Sequence, residues 1–441
     1  MRTYWCELAW LGGERAARGL TVEVADGRIL SINRNPEGPP AGAQRLDGLT
    51  IPGLANAHSH AFQRALRGRT QAGRGDFWTW REAMYGLAAR IDPELYFALA
   101  RATFAEMALA GVTCVGEFHY LHHGPGGVPY EDPNEVGKAL IEAARGAGIR
   151  ITLLDACYLH GGIGEEPNHI QRQFSDGDAE RWAARVSQLS DGPGTLIGAA
   201  IHSVRAVDPD SAARVAAWAG GRPLHAHVSE QPAENDACRA AYGRTPTEVL
   251  ADAGATRPAF TAVHATHLSQ EDVALLGVSP ATCCFCPTSE RDLADGIGPA
   301  TELRRAGASL ALGSDSQAVI DLFEEARAVE LDERLATGER GRHGVHDLLQ
   351  AATVNGHACL GWHDAGRIEE GAIADLVTIG LDSPRLAGAV AENAIQSLLF
   401  AATASDVRHV IAAGREIVRG GAHTELDVTA ELAGAIAAAW R

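Results

Sequence analysis

The sequence predicts an α/β fold, a (β/α)₈ barrel of the TIM type with a small β-sandwich domain built from both termini. Three observations predict it. Eight short apolar runs alternate with Ala- and Leu-rich helical stretches between Leu49 and Ser314. The runs stay apolar instead of alternating with polar residues, as expected of parallel strands covered on both faces. Strand-like pieces broken by Gly and Pro occupy the first part of the chain and return after Gly366. An open doubly wound sheet is the alternative, but eight consecutive units fit a closed barrel better. The expected division is 1–50 with 366–441 for the small domain and 51–365 for the barrel.

Taken in order, residues 1–50 read as short strands, with Asp26-Gly27 marking a hairpin turn. The barrel strands are the runs beginning at Leu49, Thr113, Ile151, Thr195, Pro223, Phe260, Ala281 and Ser309. Between them lie helices such as PELYFALARATFAEMALAG, EVGKALIEAARGAG, DPDSAARVAAWAG and TELRRAG. Gly111, Gly148 and Gly220 close three of these at the usual C-terminal stop. After Gly366, GRIEEGAIADLVTIG and VRHVIAAGREIVRGG pair with residues 1–50, and a last helix falls near Ala430–Trp440.

Bulk composition narrows the function. A hydrophobic fraction of 46% and a charged fraction of 21% suit a soluble globular protein. The net charge of −18 argues against nucleic-acid or anionic-membrane partners, so an anionic ligand needs locally placed arginines. No stretch has the roughly 18 apolar residues of a membrane helix, and the first residues are no signal peptide. Eight cysteines without a regular framework suit reduced thiols in the cytoplasm. Cys283, Cys284 and Cys286 lie in one apolar run and read as buried strand residues.

Reactive groups in such a barrel sit at the carboxyl ends of the strands. Strand one ends in His58-Ser59-His60, whose imidazoles share a side because strand side chains alternate with period two. Strand two ends in Glu117, His119 and Tyr120, and strand four in His202 with Arg205 beyond. Strand five carries His225, His227 and then Glu230, strand six ends in His264, and strand eight in Asp315. Taken singly, His227 reads as a buried structural histidine and Asp315 as a helix N-cap. Together with the His-x-His of strand one, His58, His60, His227 and Asp315 make a metal set. Three imidazoles and one carboxylate suit one divalent ion, Zn²⁺ first, with a position open for water. Lys138, the only lysine, lies in a helical stretch, which excludes a centre of two metals bridged by a modified lysine. Glu230, three residues after a ligand, can shuttle protons to a substrate nitrogen. His264 can hydrogen-bond the attacking water or the oxyanion, or serve as a fifth ligand; both readings stay open.

This order of His-x-His, His-x-x-Glu, His and Asp resembles the amidohydrolase superfamily in its mononuclear deaminase branch, over essentially the whole chain. The segments HSHAFQRALRGRT, FWTWREAMY, EFHYLHH, IHSVRAV, HVSEQPAE and HATHL resemble the formimidoylglutamate deiminases of a bacterial histidine-degradation route. That resemblance implies zinc-dependent hydrolysis of N-formimino-L-glutamate to N-formyl-L-glutamate and ammonia. It assigns Glu230, His264 and Asp315 to catalysis, and Gln63, Arg81, Tyr120, His202 and Arg205 to the substrate's glutamate part. Guanidinium forks suit two carboxylates. The implied partner is a small anionic substrate derived from an amino acid, and a homodimer stays open as an assembly. The loop after Asp315, with Gln317 and Ala318, departs from the family pattern. The competing readings are a deaminase of a guanine- or cytosine-like ring and a non-catalytic zinc-stabilised scaffold. A neutral base would not call for the two arginines, and a structural zinc site needs no spare proton shuttle.

Overall fold

The computed structural model describes residues 1–441. Eight parallel strands form the central sheet: Leu54–Ser59, Val112–His119, Arg150–Cys157, Thr195–Ile201, Leu224–Val228, Phe260–His264, Thr282–Phe285 and Ser309–Leu312. Their order in space is their order in sequence, as in a (β/α)₈ barrel. A parallel bridge between Ser59 and Asp315 brings the two ends together. It is made by His60 N donating to the Asp315 carbonyl at 3.1 Å and Asp315 N donating to the His58 carbonyl at 3.0 Å. The backbone that closes the barrel therefore belongs to residues whose side chains were expected to share one metal.

The strands of both termini form a separate mixed sheet. Its order is Ala422–His423, Arg415–Arg419, Val407–Ala412, Leu376–Ile379, Gln44–Pro52, Arg2–Ala9, Ala17–Ala25 and Arg28–Arg34. The apolar run from Leu49 is consequently two strands, not one. Leu49 to Pro52 pair antiparallel with Leu376–Ile379, and Leu54 begins the barrel. Gly53 makes the passage possible, because a Cβ there would lie 2.3 Å from Thr113 Oγ1 and 2.7 Å from Asp375 Cβ. Asp26 and Gly27, both at positive φ, form the expected hairpin turn. The last helix spans Val428–Ala439. Trp440, just beyond it, donates its indole N–H to the Ala65 carbonyl.

One core cluster of 111 buried residues runs through the barrel, its helices and one side of the terminal sheet, while a further 12 lie under the sheet alone. The sheet and barrel thus share apolar surface, the dominant favourable term in folding. A buried ion pair crosses the same junction. Arg150 on the third barrel strand donates to both oxygens of Asp375, which also accepts from Thr113 and from Ala413 N. All eight cysteines are free and buried, including Cys283, Cys284 and Cys286. Lys138 lies on the exposed side of Glu135–Ala147, paired with Asp132 and remote from the strand ends. No helix is long and apolar enough to cross a membrane.

Two buried histidines below the strand ends make stability depend on pH. Burial pushes His225 down to about 4, although its Nε2 donates to the Cys359 carbonyl. Burial, with the Arg150 charge acting in the same sense, pushes His357 down to about 4 from the ordinary 6.5. The unfolded chain takes up these protons below about 6.5, the folded chain only near 4. Their contribution to stability is therefore complete above pH 6.5 and is lost as the pH falls toward 4. The urea midpoint is expected to drop between pH 7 and pH 5, and less so in the His225→Gln, His357→Gln double variant. Equal slopes in the two proteins would refute this.

Candidate active site

The carboxyl ends of the strands carry an unusual concentration of backbone strain. Five of the eight non-glycine residues at positive φ sit there: Ser229, His264, Ala265, Asp315 and Gln317. Such conformations cost about 1–3 kcal/mol each and persist where surrounding structure holds them, often at functional sites. The strain turns the His264 and Asp315 side chains at the very point where their strands end. Gly313 allows the eighth strand to approach the first, since a Cβ there would lie 2.7 Å from His58 Cβ.

His58, His60, His227 and Asp315 are all buried, and one ligand atom from each falls within 4.8 Å of the others. His58 Nε2 lies 3.2 Å from Asp315 Oδ1 and 3.2 Å from His227 Nε2, and His60 Nε2 lies 3.4 Å from Asp315 Oδ1. A tetrahedral ion with ligand bonds of about 2.0–2.1 Å has ligand–ligand edges of about 3.3–3.4 Å, so this donor set fits a metal. Two backbone carbonyls fix the tautomers. His60 Nδ1 donates to the Phe118 carbonyl and His227 Nδ1 to the His202 carbonyl, both at 2.9 Å. The Nε2 lone pairs are left facing inward, the usual arrangement for ligating histidines. Burial pushes His58 down to about 3, which keeps its imidazole neutral and able to ligate. Asp315 is not a helix cap; the helix Leu322–Thr337 is capped by Asp321.

Beside this cluster lies a cavity lined by His60, Gln63, Arg81, Tyr120, His202, Arg205, His227, Glu230, His264 and Asp315. Of the residues given a metal, catalytic or substrate role from the sequence, all but His58 open onto this one space, whereas the strand-end residues Glu117, His119 and His225 do not. Glu230 Oε1 is 3.8 Å from His264 Nε2. His264 Nδ1 donates to Glu290 Oε1 at 3.3 Å. Burial lowers His264, but Glu290, Glu230 and Asp315 together outweigh it and raise the group to about 10. A cation held beside Asp315 acts in the opposite sense. Asp315 is held below the ordinary carboxylate range, burial being outweighed by the neighbouring His58, His264 and His60.

The two arginines differ. Arg205 Nη2 donates to Glu230 Oε2 at 2.8 Å, so its charge is already partnered. Arg81 forms no ion pair with any carboxylate of the chain; it stacks on Trp78 and Tyr85, and its Nε is buried without a partner. Gln63 donates to Tyr120 at 3.1 Å, and its carbonyl oxygen is likewise buried and unpartnered.

Sequence reasoning missed part of the wall. Phe77, Trp80, Met84 and Tyr85 line the cavity beside the expected Arg81, all from the helix Phe77–Ala88. Their spacing of i, i+3, i+4, i+7 and i+8 is one helical face, a signal that was present in FWTWREAMY. Tyr158 and Phe174 complete the aromatic wall, and Gln171 donates to the hydroxyls of both Tyr85 and Tyr158. The loop after Asp315 has a structural part. The Gln317 side chain donates to Ser59 Oγ and the Asp315 carbonyl, and its own carbonyl accepts from Arg67.

A second buried group, His119, His122 and Asp155, also has its ligand atoms close together. A cation is already in place there. Arg185 donates to both Asp155 oxygens at 2.8 and 2.9 Å, and His122 Nε2 donates to the Ala156 carbonyl.

Residues 49–417 match the family described as the Amidohydrolase family. The chain is 38% identical to a formimidoylglutamate deiminase from Pseudomonas aeruginosa over 423 residues, covering 92% of each protein. It superposes on the crystal structure of an amidohydrolase from Brucella melitensis with a TM-score of 0.92, 33% identity and complete coverage of both chains. An adenosine deaminase from Xanthomonas campestris with bound zinc gives a TM-score of 0.85 and 25% identity, covering 99% of this chain and 97% of that one.

Proposed function

The chain belongs to the amidohydrolase family and is a metal-dependent hydrolase of C–N bonds; from that premise we propose that it hydrolyses N-formimino-L-glutamate to N-formyl-L-glutamate and ammonia. The observation that carries this substrate is Arg81. A guanidinium facing the cavity with no carboxylate of its own, in a chain of net charge −18, calls for an anionic ligand. Gln63, Tyr120 and His202 supply neutral hydrogen-bonding groups around it. The similarity to a formimidoylglutamate deiminase supports the same reading.

His58, His60, His227 and Asp315 would hold one divalent ion, zinc being the expected one. Such an ion, when bound, lowers the pKa of a water toward 7 and so supplies a nucleophile near neutral pH. The residues around it do the rest. Arg81 and Arg205 anchor the substrate carboxylates and thereby place the formimino carbon beside His60 and Asp315. Asp315 takes up the proton that water loses on attack. His264, fixed through Nδ1 by Glu290, presents Nε2 to the oxygen added to that carbon. Glu230 faces the terminal nitrogen; the proton that Asp315 took from water passes through His264 to Glu230, which hands it to that nitrogen as the C–N bond breaks and ammonia leaves. The aromatic wall of Tyr85, Tyr158 and Phe174 keeps bulk water from the reacting carbon.

The test is ammonia release by metal-replete protein offered N-formimino-L-glutamate, guanine, cytosine and adenosine. Release is expected from the first alone. Arg81→Ala is expected to raise KM for it by about 10- to 100-fold, the weight of a hydrogen-bonded charge. Faster release from a ring substrate, or an unchanged KM in Arg81→Ala, would reject the dicarboxylate reading.

A further inference from the structure

Arg205 is held from several sides. Its Nη2 donates to Glu230 Oε2 at 2.8 Å and its Nε to Ser203 Oγ at 3.4 Å. Glu234 lies 3.9 Å from Nε, and the guanidinium sits 5.3 Å from the centroid of the Phe77 ring. Glu234 also accepts from Glu230 N at 3.2 Å, so the backbone and the carboxylate of Glu230 belong to one buried network. Within it the two oxygens of Glu230 are unequal. Oε2 is taken by Arg205, while Oε1 points toward His264 Nε2 at 3.8 Å.

We propose that Arg205 is a positioning residue for Glu230: it clamps Oε2 so that Oε1 alone faces the reacting nitrogen, and its Nη1 is left for a substrate carboxylate. One guanidinium then ties recognition of the anionic end of the substrate to the placement of the proton carrier at the other end. A carboxylate free to rotate about its last bond would present either oxygen, at varying distance. A carboxylate held at one oxygen by an N–H of a guanidinium that is itself fixed by Ser203 and the Phe77 ring does not. The inference rests on Glu230 as the proton carrier. It goes beyond the anchoring role of Arg205, which by itself would act on substrate binding alone.

A double-mutant cycle separates these roles. Arg205→Ala and Arg205→Lys are made in the wild-type and the Glu230→Gln backgrounds, and kcat and KM are measured on whichever compound the wild type hydrolyses fastest. Arg205→Ala is expected to lower kcat by about 10- to 100-fold, the usual cost of losing a group that orients a reacting one. In the Glu230→Gln background it should lower kcat no further, and added guanidinium ion should restore part of the loss in the single variant. A rise in KM with unchanged kcat would overturn the proposal, as would an equal loss of kcat in both backgrounds. Should Arg205→Ala not fold, Arg205→Lys carries the same comparison, because an ammonium does not reproduce the planar group that gives one N–H to Glu230 and another to Ser203. If the best substrate proves to be a ring amine, the dicarboxylate reading fails while the cycle still decides the link between Arg205 and Glu230.

Discussion

Glu230→Gln is expected to lower kcat by about 10²- to 10⁴-fold, the range supplied by a positioned proton-transfer group. Metal content should be unchanged, because Glu230 is not among the four residues whose ligand atoms converge. The substitution keeps the shape of the side chain and its acceptor oxygen, so packing against Arg205 is preserved. What it removes is the capacity to take and return a proton within reach of His264 and the metal set. KM should change little. A variant that retains wild-type kcat would show that the leaving nitrogen is protonated by another group, with His264 the first to examine.

His60→Ala is expected to abolish both metal binding and turnover. The loss should exceed the about 10- to 100-fold that partners behind a ligand normally cost. The fold should survive, since His60 contributes to barrel closure through its backbone N–H, which alanine retains. Its imidazole spans from the Phe118 carbonyl to within 3.4 Å of Asp315. Alanine leaves that carbonyl without its donor and the metal set without one of its three nitrogens. Metal analysis and circular dichroism of the same preparation check the two halves together. A folded His60→Ala protein that binds metal and turns over at the wild-type rate would remove His60 from the site.

Much of the fold was legible because parallel strands buried on both faces must be apolar along their length. Such runs stand out when charged residues appear only at their ends. Those ends were legible for the same reason: His58, His60, His227, His264 and Asp315 interrupt sequences that otherwise have no use for polarity. Other features depend on chain crossings that no local pattern encodes. Gly53 separates two strands inside one apolar run because Thr113 and Asp375 pass too close for any side chain. The pairing of Arg205 with Glu230 joins the ends of the fourth and fifth strands, and sequence alone offered Arg205 as a free fork. Glu290 stands 26 positions from His264, and no local pattern pairs the two. The face of Phe77–Ala88 was readable from its helical spacing, but its aromatic content resembles an ordinary core stripe. Only its position over the strand ends distinguishes it from one.

The account depends most directly on where a metal binds. A crystal structure of the metal-loaded protein, with anomalous scattering recorded at the zinc edge, locates the ion without reference to any substrate. One ion per chain is expected, ligated by His58, His60, His227 and Asp315 and facing Glu230 across the cavity. An ion held instead by His119, His122 and Asp155, or no ion at the ends of the first, fifth and eighth barrel strands, would contradict it.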